Sequence, residues 1–114
     1  MKLRKYRTPP KNEAALEVRV RDWCKDAAWK RKKMSSPGSR GTLDDLIMKG
    51  GRSVWIELKM PGNTPTELQW LEIADLRAHG IEAYWCDTLE QVIGILMKSE
   101  GWHEALPLQE EWLL

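Results

Sequence analysis

The sequence predicts an α/β domain: a central mixed β-sheet flanked by helices in α-β-β-α-β-α order. Three observations carry this. Apolar residues recur at three-and-four spacing in three separate segments, as amphipathic helices require. Two short runs of alternating character flank a Gly-Gly turn, as in a β-hairpin. A helical segment then leads to a third apolar run, and a crossover of that kind returns the chain to a strand of the same sheet.

The elements follow in order. Residues 1–10 form a basic arm ending in Thr8-Pro9-Pro10, and proline is tolerated at a helix start because the first N–H groups lack helical partners. A helix is expected over 11–29, with Leu16, Val20, Trp23, Cys24 and Ala27 as its apolar stripe. Lys30-Arg31-Lys32-Lys33 is a basic run, and 35–41 (Ser-Ser-Pro-Gly-Ser-Arg-Gly) is loop chemistry. Strands are expected over 43–48 and 53–59 around Lys49-Gly50-Gly51-Arg52. Pro61-Gly62-Asn63 breaks the pattern, and Thr64 or Thr66 caps a helix over 65–79. Its expected stripe is Leu68, Leu71 and Leu76, with Ile73 at the edge and Trp70 a further candidate. Gly80 suits the end of that helix. A third strand over 81–86 and a helix over 88–98, inward at Leu89, Val92, Ile93 and Leu96, complete the core. Residues 99–114 form a tail carrying Trp102 and Trp112, which packs on the core or on another subunit.

At 114 residues the chain fits one domain. Neither a signal peptide nor a membrane-length apolar run is present, so a cytoplasmic, unsecreted protein is expected. Cys24 and Cys86 form no CxxC pair and are expected as buried thiols, which excludes a structural zinc site. The net charge of +1 conceals an asymmetry. Residues 1–40 hold 13 Lys+Arg against 4 Asp+Glu, and residues 41–114 hold 5 against 13. Such a split points toward a polyanionic partner or, more plainly, toward one basic and one acidic solvated face.

The second strand holds the chemistry. Alternation puts Val54, Ile56 and Leu58 on one face and Trp55, Glu57 and Lys59 on the other. A carboxylate and an ammonium two residues apart mark either a site or an ordinary cross-strand ion pair. Asp44 lies across the short turn from Glu57, so the hairpin brings two carboxylates together. A divalent cation relieves their repulsion, and Mg²⁺ is typically held by one or two carboxylates plus water. Lys59 then orients water or stabilises phosphate charge. Asp45 alternates to the opposite face. On the first helix, Glu13 projects with the apolar stripe and Glu17 sits at its edge. Negative charge in a helix's first turn is also favourable in its own right. Gln69 either caps the second helix or holds an active-site group.

These residues resemble a known family. Asp44 within Gly41-Thr42-Leu43-Asp44, then Glu57-Leu58-Lys59, then Thr66-Glu67-Leu68-Gln69, are similar to the motifs of the virus-type replication-repair nuclease domain (VRR-NUC), of the restriction-endonuclease-like superfamily with its PD-(D/E)xK motif. The likeness spans roughly residues 13–96; Leu43 departs from it, standing where the family pattern has Pro. The resemblance implies a restriction-endonuclease-like core of stand-alone, phage type. It implies Mg²⁺- or Mn²⁺-dependent hydrolysis of DNA phosphodiesters, with branched DNA such as Holliday junctions as substrate and a homodimer as the working form. It implies catalytic roles for Glu13, Asp44, Glu57, Lys59 and Gln69, and a metal held by Glu13, Asp44, Glu57 and the Leu58 backbone carbonyl. Lys30, Arg31, Lys32, Lys33 and Arg40 would then contact DNA phosphates.

Overall fold

A computed structural model of the chain describes residues 9–98. Most of the basic arm and the whole of residues 99–114, with Trp102, His103 and Trp112, lie outside the described residues. Helix α1 (Glu13–Asp26) is followed by β1 (Lys30–Lys33), β2 (Asp45–Lys49), β3 (Arg52–Leu58), α2 (Glu67–Ala78), β4 (Glu82–Cys86) and α3 (Leu89–Leu96). The four strands form one sheet in the order β1-β2-β3-β4. β1–β2 and β2–β3 pair antiparallel, and β3–β4 pair parallel. The sheet is therefore mixed, as expected, with the parallel pair joined by the α2 crossover.

The expected order lacked one strand. The basic run 30–33 is β1, an edge strand whose Lys30 opposes Met48 and whose Lys33 opposes Asp45. Consecutive Lys and Arg are poor strand formers by composition. Here pairing with β2 imposes the conformation, and charged side chains on an edge discourage further strand addition.

Each helix starts where its cap residue allows. The Asn12 side chain accepts from the Ala15 N–H at 2.9 Å, and Thr66 and Thr88 do the same for α2 and α3. Leu16, Val20, Trp23 and Cys24 of α1 are buried as the stripe required. They meet Ile47, Val54, Ile56 and Leu58 of the sheet, together with Leu89, Val92, Ile93 and Leu96 of α3. Both cysteines are buried and free, and burial pushes the Cys24 thiol up to about 12.

The other sheet face carries a smaller core of Leu43, Ile73, Ala83 and Trp85, bordered by Trp55, Trp70 and Leu76. This corrects the stripe expected for α2. Ile73 is its buried centre, while Leu68 and Leu71 are 45% and 58% exposed. α2 carries apolar residues on two arcs, so periodicity alone did not choose between them. The inward arc runs through Trp70, Ile73 and Leu76, where Trp70 meets Trp85 edge-on at 6.3 Å.

Arg52 ties the two layers together at the hairpin end. Its guanidinium makes a two-pronged ion pair with Glu82 at 2.7 and 2.8 Å. It also donates to the carbonyls of Ile95, Leu96 and Lys98 at the end of α3 and just beyond it.

Candidate active site

The site forms at the end of the sheet where β2 begins and β3 ends. Alternation along β3 sends Val54, Ile56 and Leu58 into the larger core and Trp55 and Glu57 to the opposite face. Glu57 is 2% exposed and packs beneath α2. Asp44 immediately precedes β2, and Asp45 alternates away from it, as expected.

Asp44 and Glu57 are interlocked. The Asp44 N–H donates to Glu57 Oε1 at 3.1 Å, and the Leu58 N–H donates to Asp44 Oδ2 at 2.9 Å. The register permits this: the last β2–β3 pair is Asp45 with Ile56, so the next residues outward are free of the ladder. The other oxygens are held from farther away. The Ser35 hydroxyl donates to Asp44 Oδ1 at 2.9 Å, and Gln69 Nε2 donates to Glu57 Oε2 at 3.0 Å. Lys59 Nζ stands 3.4 Å from that same Oε2.

Gln69 caps α2 and also reaches Glu57. Its Oε1 accepts from the Thr66 N–H at 2.9 Å, and its own N–H donates to Thr66 Oγ1 at 3.2 Å. This capping box fixes the side chain so that its amide N–H₂ is aimed at Glu57.

Glu13 comes from α1 to the same point. One oxygen from each of Glu13, Asp44 and Glu57 lies within 4.8 Å of the others. Glu17, the other acidic residue of α1's inner side, faces β1 instead, 2.7 Å from Arg31 and 3.0 Å from Lys33. Burial raises Glu17, but hydrogen bonds from Lys33 and Arg31 outweigh it and leave the carboxyl below its usual value.

Electrostatics mark the cluster as strained in charge. Burial, then the Asp44 charge, push Glu57 up to about 8, against the opposing pull of Lys59. Burial also raises Glu13, with Lys59 pulling the other way. A cation seated among these oxygens would reverse that balance, since opposite charge favours the ionised form. The donors are hard carboxylate oxygens, the set that suits Mg²⁺ or Mn²⁺ and not soft metals. The Leu58 carbonyl faces the same side of β3 as Asp44. The Lys59 N–H donates to Cys86 O at 2.9 Å, toward β4, so the trans peptide turns the Leu58 carbonyl to the Asp44 side.

The basic run divides by strand alternation. Arg31 and Lys33 share the α1 face with Asp45, and Lys30 and Lys32 share the Glu57 face. Arg31 is turned inward, 2.8 Å from Asp45 and only 11% exposed, so its guanidinium is occupied by Asp45 and Glu17. Burial pushes Asp45 up to about 6 despite that pairing, and Asp45 Oδ2 has no hydrogen-bond partner among the described residues. Lys30, Lys32, Lys33 and Arg40 are exposed. Ser35 was not foreseen, because nothing local to a Ser-Ser-Pro-Gly loop says that it closes onto Asp44.

No family model and no curated protein matches this chain. Among solved structures, the chain is similar to a VRR_NUC domain, with a TM-score of 0.66 and 19% identity over 77% of this chain and 97% of that one. At that identity the likeness establishes the fold. The chain thus has the restriction-endonuclease-like fold that its motifs resemble.

Proposed function

We propose that this protein is a divalent-metal-dependent DNA endonuclease of the VRR-NUC type. One observation carries the reading: Glu13, Asp44 and Glu57 arrive from three separate elements to within 4.8 Å, with Lys59 and Gln69 on the same carboxylate. A structural ion pair needs one carboxylate and one cation. Three carboxylates gathered with a single lysine are instead suited to a cation that the chain does not itself supply.

In this reading Mg²⁺ or Mn²⁺ is held by Glu13, Asp44, Glu57 and the Leu58 carbonyl. Bound there, it would polarise a phosphodiester oxygen and lower the pKa of a water. The chain's own groups do the rest. Ser35 and the Leu58 N–H orient Asp44. Gln69 and the Asp44 N–H orient Glu57. Lys59 donates toward the attacking water or the phosphate oxygens, where negative charge builds in the transition state.

Lys30 and Lys32 lie on the sheet face that carries Glu57, and Arg40 lies on the loop leading to Asp44. They are the phosphate-contacting set, and Lys33, exposed on the α1 face and 3.0 Å from Glu17, is a more distant member. Arg31, occupied by two carboxylates, is not counted among them. Branched DNA such as a Holliday junction is the proposed substrate. A homodimer is the proposed working form, because two opposed strands need two sites related by a twofold axis. The proposed location is the cytoplasm of a bacterial or phage-infected cell. No helix among the described residues is long and apolar enough to cross a membrane.

The test is cleavage of a labelled panel: four-way junction, flap, single strand and linear duplex, each with EDTA, Mg²⁺ or Mn²⁺. Metal-dependent cutting that disappears in Glu57→Ala supports the endonuclease, and the panel identifies the substrate. Binding without cutting, in every metal, replaces it with a catalytically silent DNA-binding module of the same fold. Equal cutting of all forms replaces junction selectivity with flap or nonspecific nicking.

A further inference from the structure

We propose that the groove between the Arg40 loop and α2 receives a nucleobase of the DNA strand whose phosphate lies at the carboxylate cluster. The inference rests on the hydrolytic reading above and adds to it a site for a base drawn out of the helical stack. The groove is built by the two segments that carry the cluster: the loop that runs on into Asp44, and the helix turn that holds Gln69.

Gly41 makes the close approach possible. Its φ is +82°, and a Cβ there would stand 3.2 Å from Leu68 Cβ. Glycine adopts this positive φ freely, and its missing side chain spares the loop a tight contact with the helix.

The groove's apolar lining comes from two leucines set among Arg40, Thr42, Glu72 and Asp75. Leu68 and Leu71 are 45% and 58% exposed there, although the same helix buries Ile73 in the core. The opening measures about 360 Å³, within the roughly 300–1,000 Å³ of small-ligand sites. That volume accepts a flat ring system rather than the face of a second protein.

Charge orients the occupant. Arg40 stands at one side, and Glu72 and Asp75 at the other. A phosphate is attracted to the Arg40 side and repelled from the carboxylates. A base fits the sequence of groups: a phosphate-holding guanidinium at one side, leucine methyls against a ring face, and carboxylate oxygens that accept from exocyclic amines.

The experiment places 2-aminopurine at successive positions around the cut site in each DNA of the panel. Fluorescence reports unstacking on binding, with Ca²⁺ replacing Mg²⁺ to prevent turnover, and anisotropy reports affinity separately. One position should brighten on binding wild-type protein. Leu71→Ser should remove that response and weaken binding of that DNA roughly tenfold, the size of effect expected from losing a leucine side chain's apolar contact. Glu72→Gln should lower the preference for an amino-bearing base there. Leu71 is exposed, so its replacement leaves the fold intact, and a thermal transition verifies this. DNA that is cleaved by the wild type but brightens at no position overturns this inference alone, as does a response that survives Leu71→Ser. Absence of any DNA binding or cleavage overturns the hydrolytic reading, and this inference with it.

Discussion

The backbone N–H of Asp44 donates to the carboxylate of Glu57 at 3.1 Å, just past the last paired rung of the β2–β3 hairpin. The return bond runs from the Leu58 N–H to Asp44 Oδ2 at 2.9 Å. The two candidate ligands therefore position each other through the main chain, so their spacing is a property of the sheet register and not of flexible side chains. A slip of one residue would turn Glu57 to the opposite face.

Replacing Glu57 with Gln keeps the shape and an acceptor for the Asp44 N–H but removes the charge. Cleavage should fall by more than the roughly 10–100-fold typical of losing an outer partner of a metal ligand. The cooperative thermal transition should remain. Asp44→Ala and Glu57→Ala should likewise abolish cutting and stay folded. Loss of the transition in either would make that carboxylate a structural group.

Stability without metal should fall as pH rises from about 5 to 8. The folded state holds Glu57 protonated up to about 8, whereas the unfolded chain releases that proton near the ordinary value of 4.5. The unfolded state thus binds fewer protons across this window, and raising the pH favours it. Asp45, raised to about 6, adds the same sign in the lower part of the window. Mn²⁺ should displace the Glu57 proton, so its affinity should climb with pH and level off above about 8. Melting curves with EDTA at several pH values, beside Glu57→Gln, measure this. An unchanged slope in the variant would remove Glu57 as the source.

Lys59→Ala should keep Mn²⁺ binding and lose turnover. Losing the Lys59 charge favours a proton on Glu57 but favours the doubly charged Mn²⁺ more, so the variant should bind Mn²⁺ at least as tightly as the wild type at pH 6 and at pH 9. Calorimetry at both values checks it. Failure to bind at pH 9 would place Lys59 in the structural support of the metal site.

Arg31 and Lys32 are neighbours with opposite expected effects. Arg31→Met leaves the buried Asp45 charge unpaired and should cost about 3–5 kcal/mol of stability. Lys32→Gln should leave stability unchanged and reduce the salt slope of DNA binding by about 0.9. Urea titration and binding across a salt series separate the two. Equal effects of the two variants on the salt slope would return Arg31 to the DNA surface.

Gly41→Ala combines a positive φ with a close contact, whereas Gly62, at φ +94°, faces open space. Both substitutions strain the backbone by roughly 1–3 kcal/mol. Gly41→Ala should lower the urea midpoint further, because Leu68 Cβ and its carbonyl oxygen stand 3.2 and 3.4 Å from the added Cβ and must shift to admit it. Equal midpoints would show that the loop yields instead.

Much of this molecule follows from short-range rules that the sequence states directly. The stripe of α1, the hairpin around Gly50-Gly51, a threonine cap at Thr64 or Thr66 and the opposite facing of Ile56 and Glu57 all depend on residues within a turn or two of one another. Periodicity therefore determined the fold class, the pairing of Asp44 with Glu57 and the separation of Asp45 from both. Tertiary structure decided what depends on distant partners. β1 is a strand because β2 pairs with it, not because Lys30–Lys33 favour the conformation. Arg31 is buried because Asp45 and Glu17 meet it there, and α2 turns Ile73 inward because β4 presents Ala83 and Trp85. Ser35 reaches Asp44 only after its loop closes. The physical reason is common to all four: a residue's own pattern sets which way its side chain points, while only the folded neighbours set what it meets.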